Sequence, residues 1–327
     1  MLADPPPELS IDLRNFMVES YIDITALNLI SVHPKRGSSL VFHPEIERAA
    51  RQLADEQYVG QLSGCWIELL LIILQIHQLR QGIMGNLKGQ VKPTFADNII
   101  MFGSLQTQAQ CFFPASFVDQ ELLLASLIFK QAVLLYLWTS VDKPPSGESN
   151  SMQTMLISHA VQEAMSVLDQ LPDSARVNSS LCWPLTIIGC CTRDPASQDA
   201  IKGRLKTVFE STRLGSMRQA LLLLEQIWSK PKEAISPWTL HEVMQEHQLR
   251  LIQLSRGVTV CGDTRAAALE CLEAQISEGV LFLRHFTWHC PSFLTVLPTI
   301  RIFPPVAAIK RNKASFTVTR THLALNQ

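Results

Sequence analysis

Two clusters built on histidine carry the spacing closest to metal or hydrolytic chemistry. In His241-Glu242-Val243-Met244-Gln245-Glu246-His247 a carboxylate follows the first histidine, as in helices that hold zinc and activate water. The second histidine comes six residues on rather than four, so the two rings do not share one helical face. The segment reads as surface polar residues. His285, His289 and Cys290 are better placed, because a four-residue spacing sets two imidazoles on one face, where they could hold a metal. No fourth ligand accompanies them and Pro291 ends any helix there, so no metal-binding residue is assigned. An all-α enzyme of the terpene-synthase kind needs clustered carboxylates to hold Mg²⁺ around a diphosphate. No two aspartates are adjacent, and the only Asp–Glu neighbours, Asp55-Glu56, lie in a charged helix that reads as a solvated face. The phosphate-cradling patterns GxGxxG and GxxxxGKS/T are missing, and so is the nucleophile elbow GxSxG. Catalytic, cofactor-binding, metal and DNA-binding residues are therefore read as none, and no cofactor is expected.

The elements that would position any site are helical. Residues 9–30 read as an amphipathic helix, followed by a loop rich in Pro, Gly and basic residues at 33–39. Pro44 opens a second helix over 45–58. Residues 61–80 read as a third, whose polar positions Gln61, Glu68 and Gln75 recur every seven residues and leave a narrow wet stripe, with Gly82 and Gly85 stopping it. A break around Pro93 precedes a helix over 98–110. Asp119 caps the next one, which runs to about residue 139 and is apolar almost all round apart from Ser126 and Lys130, as suits the centre of a bundle. Residues 143–150 (KPPSGESN) form a loop by composition. Residues 151–171 keep the helical period until Pro172. The apolar run 181–191 contains Pro184 and reads as helix, like its neighbours. Asp194-Pro195 supplies an N-cap with Pro at the first helical position. Gly215 sits where a left-handed C-terminal residue is wanted, and Ser216 with Gln219 resembles a capping box opening a helix to Trp228. Ser236-Pro237 opens the last, with Leu240, Val243, Met244, Leu251 and Ile252 inside. No strand alternation is convincing before residue 256 and no repeat of fixed length occurs. The expectation is an all-α, orthogonal or bundle-like array of about eight to ten helices, not a solenoid. Trp66, Trp138, Trp183, Trp228 and Trp238 read mostly as core, with a minority free to line a pocket between facing helices.

The chain's 327 residues are 47% apolar and 17% charged, with a net charge of −1. That is enough apolar material for a large core in one or two domains, and too neutral for a protein whose main task is gripping nucleic acid with a basic face. Residues 1–10 contain three consecutive prolines and no apolar run, so no signal peptide is read. Glu68 interrupts the apolar stretch 65–76 and Lys130 interrupts 122–138, so no membrane span is expected. The eight cysteines form no CxxC pair and mostly lie in apolar runs, as reduced, buried thiols do. From residue 279 onward there is no Asp or Glu against six basic residues, whereas the preceding 278 residues carry a net −7. That shift marks a boundary. The expected organisation is a flexible N-terminus over 1–15, a helical domain over 16–255, and an atypical basic tail over 256–327, helical at about 264–283 and poorly ordered beyond. The tail's Lys310-Arg311-Asn312-Lys313 reads as a solvated charge run rather than an import or phosphate-binding patch.

Read in order, several segments carry a family likeness: GCWIELLLI at 64–72, MFGSLQTQ at 101–108, IFKQAVLLYL at 128–137, SLCWPLTIIGC at 180–190, the Leu-rich run 221–228 ending in Trp228, and Pro237-Trp238 leading to Val243-Met244. The chain resembles, over about residues 16–255, the C-terminal regulatory region of fungal zinc binuclear cluster transcription factors, the fungal-specific transcription factor domain. The most specific part is the run Cys182–Cys190 with the downstream helix ending in Trp228. The resemblance implies an all-helical regulatory domain, nuclear localisation, and control of a metabolic or secondary-metabolite gene cluster. The family's DNA-reading module is an N-terminal cluster of six cysteines holding two zinc ions. Nothing like it stands in this sequence, whose first cysteine, Cys65, falls in an apolar run.

The expected function is therefore that of a transcription regulator without enzymatic activity, acting through protein–protein contacts. Its expected partners are other regulators or a second copy of itself, with DNA reached only indirectly, a small-molecule effector held in the bundle, and no membrane. The alternative reading is a helical small-molecule-binding protein or an enzyme without a recognisable catalytic motif. It would require polar groups converging in one cavity. A third is a scaffold whose apolar grooves take partner helices.

Overall fold

Four short polar side chains start much of the frame. Ser10, Thr94, Asp119 and Asp194 each accept the backbone N–H three residues on, and a helix begins after each of them. The computed structural model describes residues 10–31, 44–84, 93–141, 151–230 and 236–249, all within the unit Met1–Ser255. A second unit, Arg256–Gln327, lies outside the described residues, and so do the readings made for His285, His289, Cys290, Lys310 and the tail. Among the described residues there are ten α-helices and no strand: α1 (Ile11–Asn28), α2 (Pro44–Asp55), α3 (Ile67–Ile83), α4 (Phe95–Cys111), α5 (Gln120–Trp138), α6 (Ser151–Gln170), α7 (Cys182–Cys191), α8 (Pro195–Thr212), α9 (Gly215–Trp228) and α10 (Leu240–Glu246). Short 3-10 turns cover Leu29–Ser31, Arg176–Leu181 and Pro237–Thr239. The all-α array expected from periodicity is the observed one.

Side-chain reach gives the helix directions. Cys65 Sγ, just before α3, lies 4.0 Å from the Leu122 carbonyl at the start of α5, while Arg80 near the end of α3 donates to the Ser140 carbonyl at 2.6 Å, just past the end of α5. α3 and α5 therefore run the same way. α4 returns between them. Lys130, midway along α5, donates to the carbonyls of Gln110 and Phe112 at 2.6 and 3.2 Å, and Trp138 at the end of α5 donates to Gln106 at 3.1 Å. Lys130 thus satisfies orphan carbonyls at the C-terminus of α4, where a cation is favoured. α6 runs back along α5, with Gln153 donating to the Trp138 carbonyl at 2.6 Å.

α3 and α5 form the centre. From Ile67 to Gln81 nearly every residue of α3 is buried, and α5 buries Leu124–Ser126, Ile128, Phe129 and Gln131–Trp138. Each fully buried Leu, Ile or Phe here contributes about 1.5–3 kcal/mol relative to exposure. α5 is long and apolar enough to cross a membrane by length and composition, but 72% of it is buried inside the protein. The interruption by Lys130 is thus a helix-end contact, not a sign of a wet face. A run of rings threads this centre. Trp66 stacks on Phe129 with centroids 4.9 Å apart, and Phe129 stacks on Trp183 at 5.8 Å. Trp183 meets Tyr136 edge-on at 5.6 Å, and Tyr136 stacks on Trp238 at 4.3 Å. Such pairs add about 0.5–1.5 kcal/mol each beyond their buried area. Trp66, Trp138, Trp183 and Trp238 are thus core residues, as their apolar neighbours indicated, while Trp228 is half-buried.

Several local expectations change. Residues 61–66 are not the first turns of α3 but a loop, because their backbone N–H groups bind a side chain of α1 instead of continuing a helix. α2 stops at Asp55, with Gln57 in the left-handed region at φ 52°. Gly82 lies inside α3. The left-handed residue after α8 is Arg213 (φ 59°), whose guanidinium lies 6.0 Å over the Phe209 ring, and Gly215 is simply the first residue of α9. Ser216 is inside that helix and makes no capping box, since the N-cap is Leu214. His241 is buried rather than a surface polar residue, because the capped turn Pro237–Thr239 sets α10 inward at Leu240, His241, Val243 and Met244.

Candidate functional site

The first polar cluster inside the fold is built on α1. Glu19 lies on the same face as Ile22 and Ala26 and is fully buried. Its carboxylate accepts the backbone N–H groups of Gln61, Leu62 and Ser63 at 3.2, 2.7 and 2.6 Å, and the Ser63 hydroxyl at 3.0 Å. The loop closes around it because Gly60 donates to the Gly64 carbonyl at 2.7 Å and Gly64 adopts φ +51°. A Cβ at Gly60 would run into the Glu19 carboxylate, and one at Gly64 into the Trp66 ring. Three charge-assisted hydrogen bonds from consecutive amides thus fix the entry to α3. Tyr58, hydrogen-bonded to Glu19, has its hydroxyl pushed up to about 12 by burial and by the Glu19 charge. One turn beyond Glu19, burial and then that same charge push the Asp23 carboxyl up to about 7. None of these residues stood out in the sequence. The available signal was an acidic residue on the inward face of α1 together with the Gly60–Gly64 spacing.

The second cluster lies toward the other end of α3. His77 stacks on Trp238 at 6.2 Å, the Gln81 amide faces its Nε2 at 3.1 Å, and the Arg80 guanidinium sits 5.8 Å over the Trp238 ring. Trp238 in turn donates to the Tyr136 carbonyl at 3.2 Å. Burial lowers His77 to about 4, so the ring is neutral at pH 7. A neutral imidazole, a guanidinium on a backbone carbonyl and the rings of Trp238 and Tyr136 make a structural latch for the turn Pro237–Thr239. The cluster joins no nucleophile to a base.

The positions singled out for chemistry do not come together. His241 is buried and His247, six residues on, is exposed, so the heptapeptide does not form a two-histidine face. Asp55 and Glu56 are exposed. Among the described residues no group of three or more His, Cys, Asp or Glu side chains is placed to hold a metal ion. The five described cysteines are free. Burial pushes the Cys182 and Cys191 thiols up to about 12 and Cys190 well above its ordinary value, which leaves them unreactive at pH 7. Cys111 departs from the buried reading, being exposed on the last turn of α4. A shallow cleft where α7, α8 and α9 meet is lined by Cys190, Thr192, Arg193, Gln198, Ile227, Trp228 and Lys230, and pairs no acid with a base.

What the surface offers instead is apolar. On and beside α4, Phe95 is 80%, Ile99 55%, Ile100 70%, Phe113 79% and Phe117 67% exposed. Met152, Met155 and Leu156 on the first turns of α6 are exposed as well. Large side chains of this kind, gathered on one helix, mark contact surfaces.

No curated protein and no solved structure matches the chain. A family model, the fungal specific transcription factor domain, matches residues 20–253, which spans every one of the ten helices except the first turns of α1. The match covers well over half of the sequence and the helical core described above, and the chain belongs to the fungal specific transcription factor domain family.

Proposed function

We propose that this chain regulates transcription in the nucleus by contacting other regulatory proteins, and that its targets form a metabolic or secondary-metabolite gene cluster. Membership of the transcription factor domain family over residues 20–253 is the observation that carries the reading. The exposed apolar residues of α4 and α6 support the choice of protein contacts as the mode of action, since aromatic and Met side chains with few charges typify interface cores. The chain is not an enzyme in this reading, and it reaches DNA through its partners.

Tethering tests it. The full chain, fused to an unrelated DNA-binding module, is expected to change a reporter's transcription several-fold, and a fluorescent fusion is expected in the nucleus. Deleting the gene is expected to alter transcripts of a physically linked gene set. An unchanged reporter together with unchanged transcripts would overturn the regulatory reading. Tight, salt-dependent binding of a specific duplex by the purified chain would overturn the indirect route to DNA.

A further inference from the structure

The cleft where α7, α8 and α9 meet gathers polar groups that the fold leaves unused. Thr192, just past the end of α7, is only 5% exposed, and its hydroxyl makes no hydrogen bond among the described residues. A buried hydroxyl without a partner is costly, and native folds rarely keep one without a use for it. Beside it in the cleft wall, the exposed Arg193 guanidinium makes no hydrogen bond or ion pair among the described residues. The side-chain amide of Gln198, half-buried on the first turn of α8, makes none either. The nearby acids are engaged. Asp194 caps α8, accepting the Ser197 N–H and hydroxyl at 2.9 Å each, and Glu246 holds the Lys230 ammonium at 2.6 Å. Arg193 is thus the cation of this cleft that lacks an acid among the described residues. The apolar wall is held firmly. Trp228 donates its indole N–H to the Gly189 carbonyl at 2.9 Å, and Gly189 lets α9 approach so closely that a Cβ there would run into Leu224. Trp228 stays half-buried, so part of its ring remains open to the cleft beside Ile227 and Cys190.

We propose that this cleft binds a small organic carboxylate with a short apolar tail. Its volume of about 60 Å³ suits a group of a few non-hydrogen atoms. An apolar cavity that takes benzene is more than twice as large, at ~150 Å³. The carboxylate lies on the planar fork of Arg193, which matches two oxygens at once. The Thr192 hydroxyl and the Gln198 amide supply further donors to the same oxygens. The tail lies on the open part of the Trp228 ring and on Ile227. One unmatched guanidinium balances one negative charge, so a monoanion is favoured over a phosphate dianion. A cationic ligand would meet Arg193 and Lys230 on the cleft wall and be repelled.

This inference goes beyond the regulatory reading and does not lean on it, since binding is measured without reference to transcription. The full chain, labelled with ¹⁵N-tryptophan, is titrated with butanoate at constant ionic strength, and the Trp228 indole signal, assigned by its loss in Trp228→Phe, is followed by NMR. That signal is expected to shift and saturate with a dissociation constant on the order of 1 mM, as suits so small a ligand. Acetate and inorganic phosphate are expected to bind more weakly, and butylammonium to leave the signal in place. Arg193→Gln is expected to raise the butanoate constant at least ~10-fold with an unchanged circular dichroism spectrum, since Arg193 is exposed. Thr192→Val is expected to raise it about 3-fold or more without lowering the unfolding midpoint, which separates a binding role from a structural one. A Trp228 signal that does not move by ~50 mM butanoate, far above the expected constant, overturns the proposal. So does an equal response to butylammonium, phosphate bound as tightly as butanoate, or affinity that survives Arg193→Gln.

Discussion

α5 and α4 are neighbours of similar length, 19 and 17 residues, and both are rich in apolar side chains. α5 buries thirteen of its residues, whereas α4 buries only Leu105 and Ala109. The difference lies in what surrounds them. α5 is walled by α3, α4, α6 and α7 and has no free side. α4 lies on the outside, holding to the body through Leu105, Ala109, Gln106 and the Lys130 contact at its end. One apolar helix therefore works as the core and the other as a surface. Composition alone does not separate the two roles.

Substitutions on each side should pull them apart. Phe129→Ala removes the ring between Trp66 and Trp183 and should cost about 3–5 kcal/mol, read from urea unfolding midpoints. A loss under ~1 kcal/mol would mean that α5 is not the tightly packed centre. Glu19→Ala orphans three amides of the loop before α3 and should cost about 2–4 kcal/mol. Gly60→Ala should weaken the fold in the same loop, because the added methyl meets the Glu19 carboxylate. It should add little to Glu19→Ala in the double variant.

The interior also sets a pH dependence of stability. Asp23 sits at about 7 in the folded chain against 3.8 unfolded, so the folded state keeps its proton longer. Its contribution to stability falls as pH rises from about 4 to about 7. His77 sits at about 4 against 6.5 unfolded, so the unfolded state takes up the extra proton. Its contribution rises with pH between about 4 and 6.5. Asp23→Asn should therefore leave a steeper gain in stability from pH 4 to 6.5, and His77→Gln should turn the gain into a decline. Parallel curves for parent and variants would rule the linkage out.

The smallest effect is expected outside. Ile100→Ser on α4 should shift stability by no more than ~0.5 kcal/mol, read from the same unfolding midpoints. A loss comparable with that of Phe129→Ala would show that α4 is part of the core after all.

Much of this was legible beforehand. The caps at Asp119 and Asp194 mark their helices by chemistry that acts over three residues, so the chain's local text suffices. The central place of α5 follows from its apolar girth. The missed features share a longer range. The turn at 61–66 reads as helix by its period, yet Glu19, more than forty residues earlier, captures its amides. Gly215 and Ser216 carry the right residue types for a helix end and start, but Arg213 takes the left-handed position with its side chain over Phe209. His241 reads as surface by its charged neighbours and is buried by the turn before it.

By itself the sequence determined that this protein is helical, where most of its helices begin, and that its interior is rich in tryptophan and leucine. Those properties depend on hydrogen bonds and periodicities confined to a few turns. Only the tertiary structure decided that α4 keeps its large apolar side chains outward, and which acidic residue is drawn inside to bind a loop. Burial is a property of neighbours distant in the chain, and no stretch of residues carries it alone.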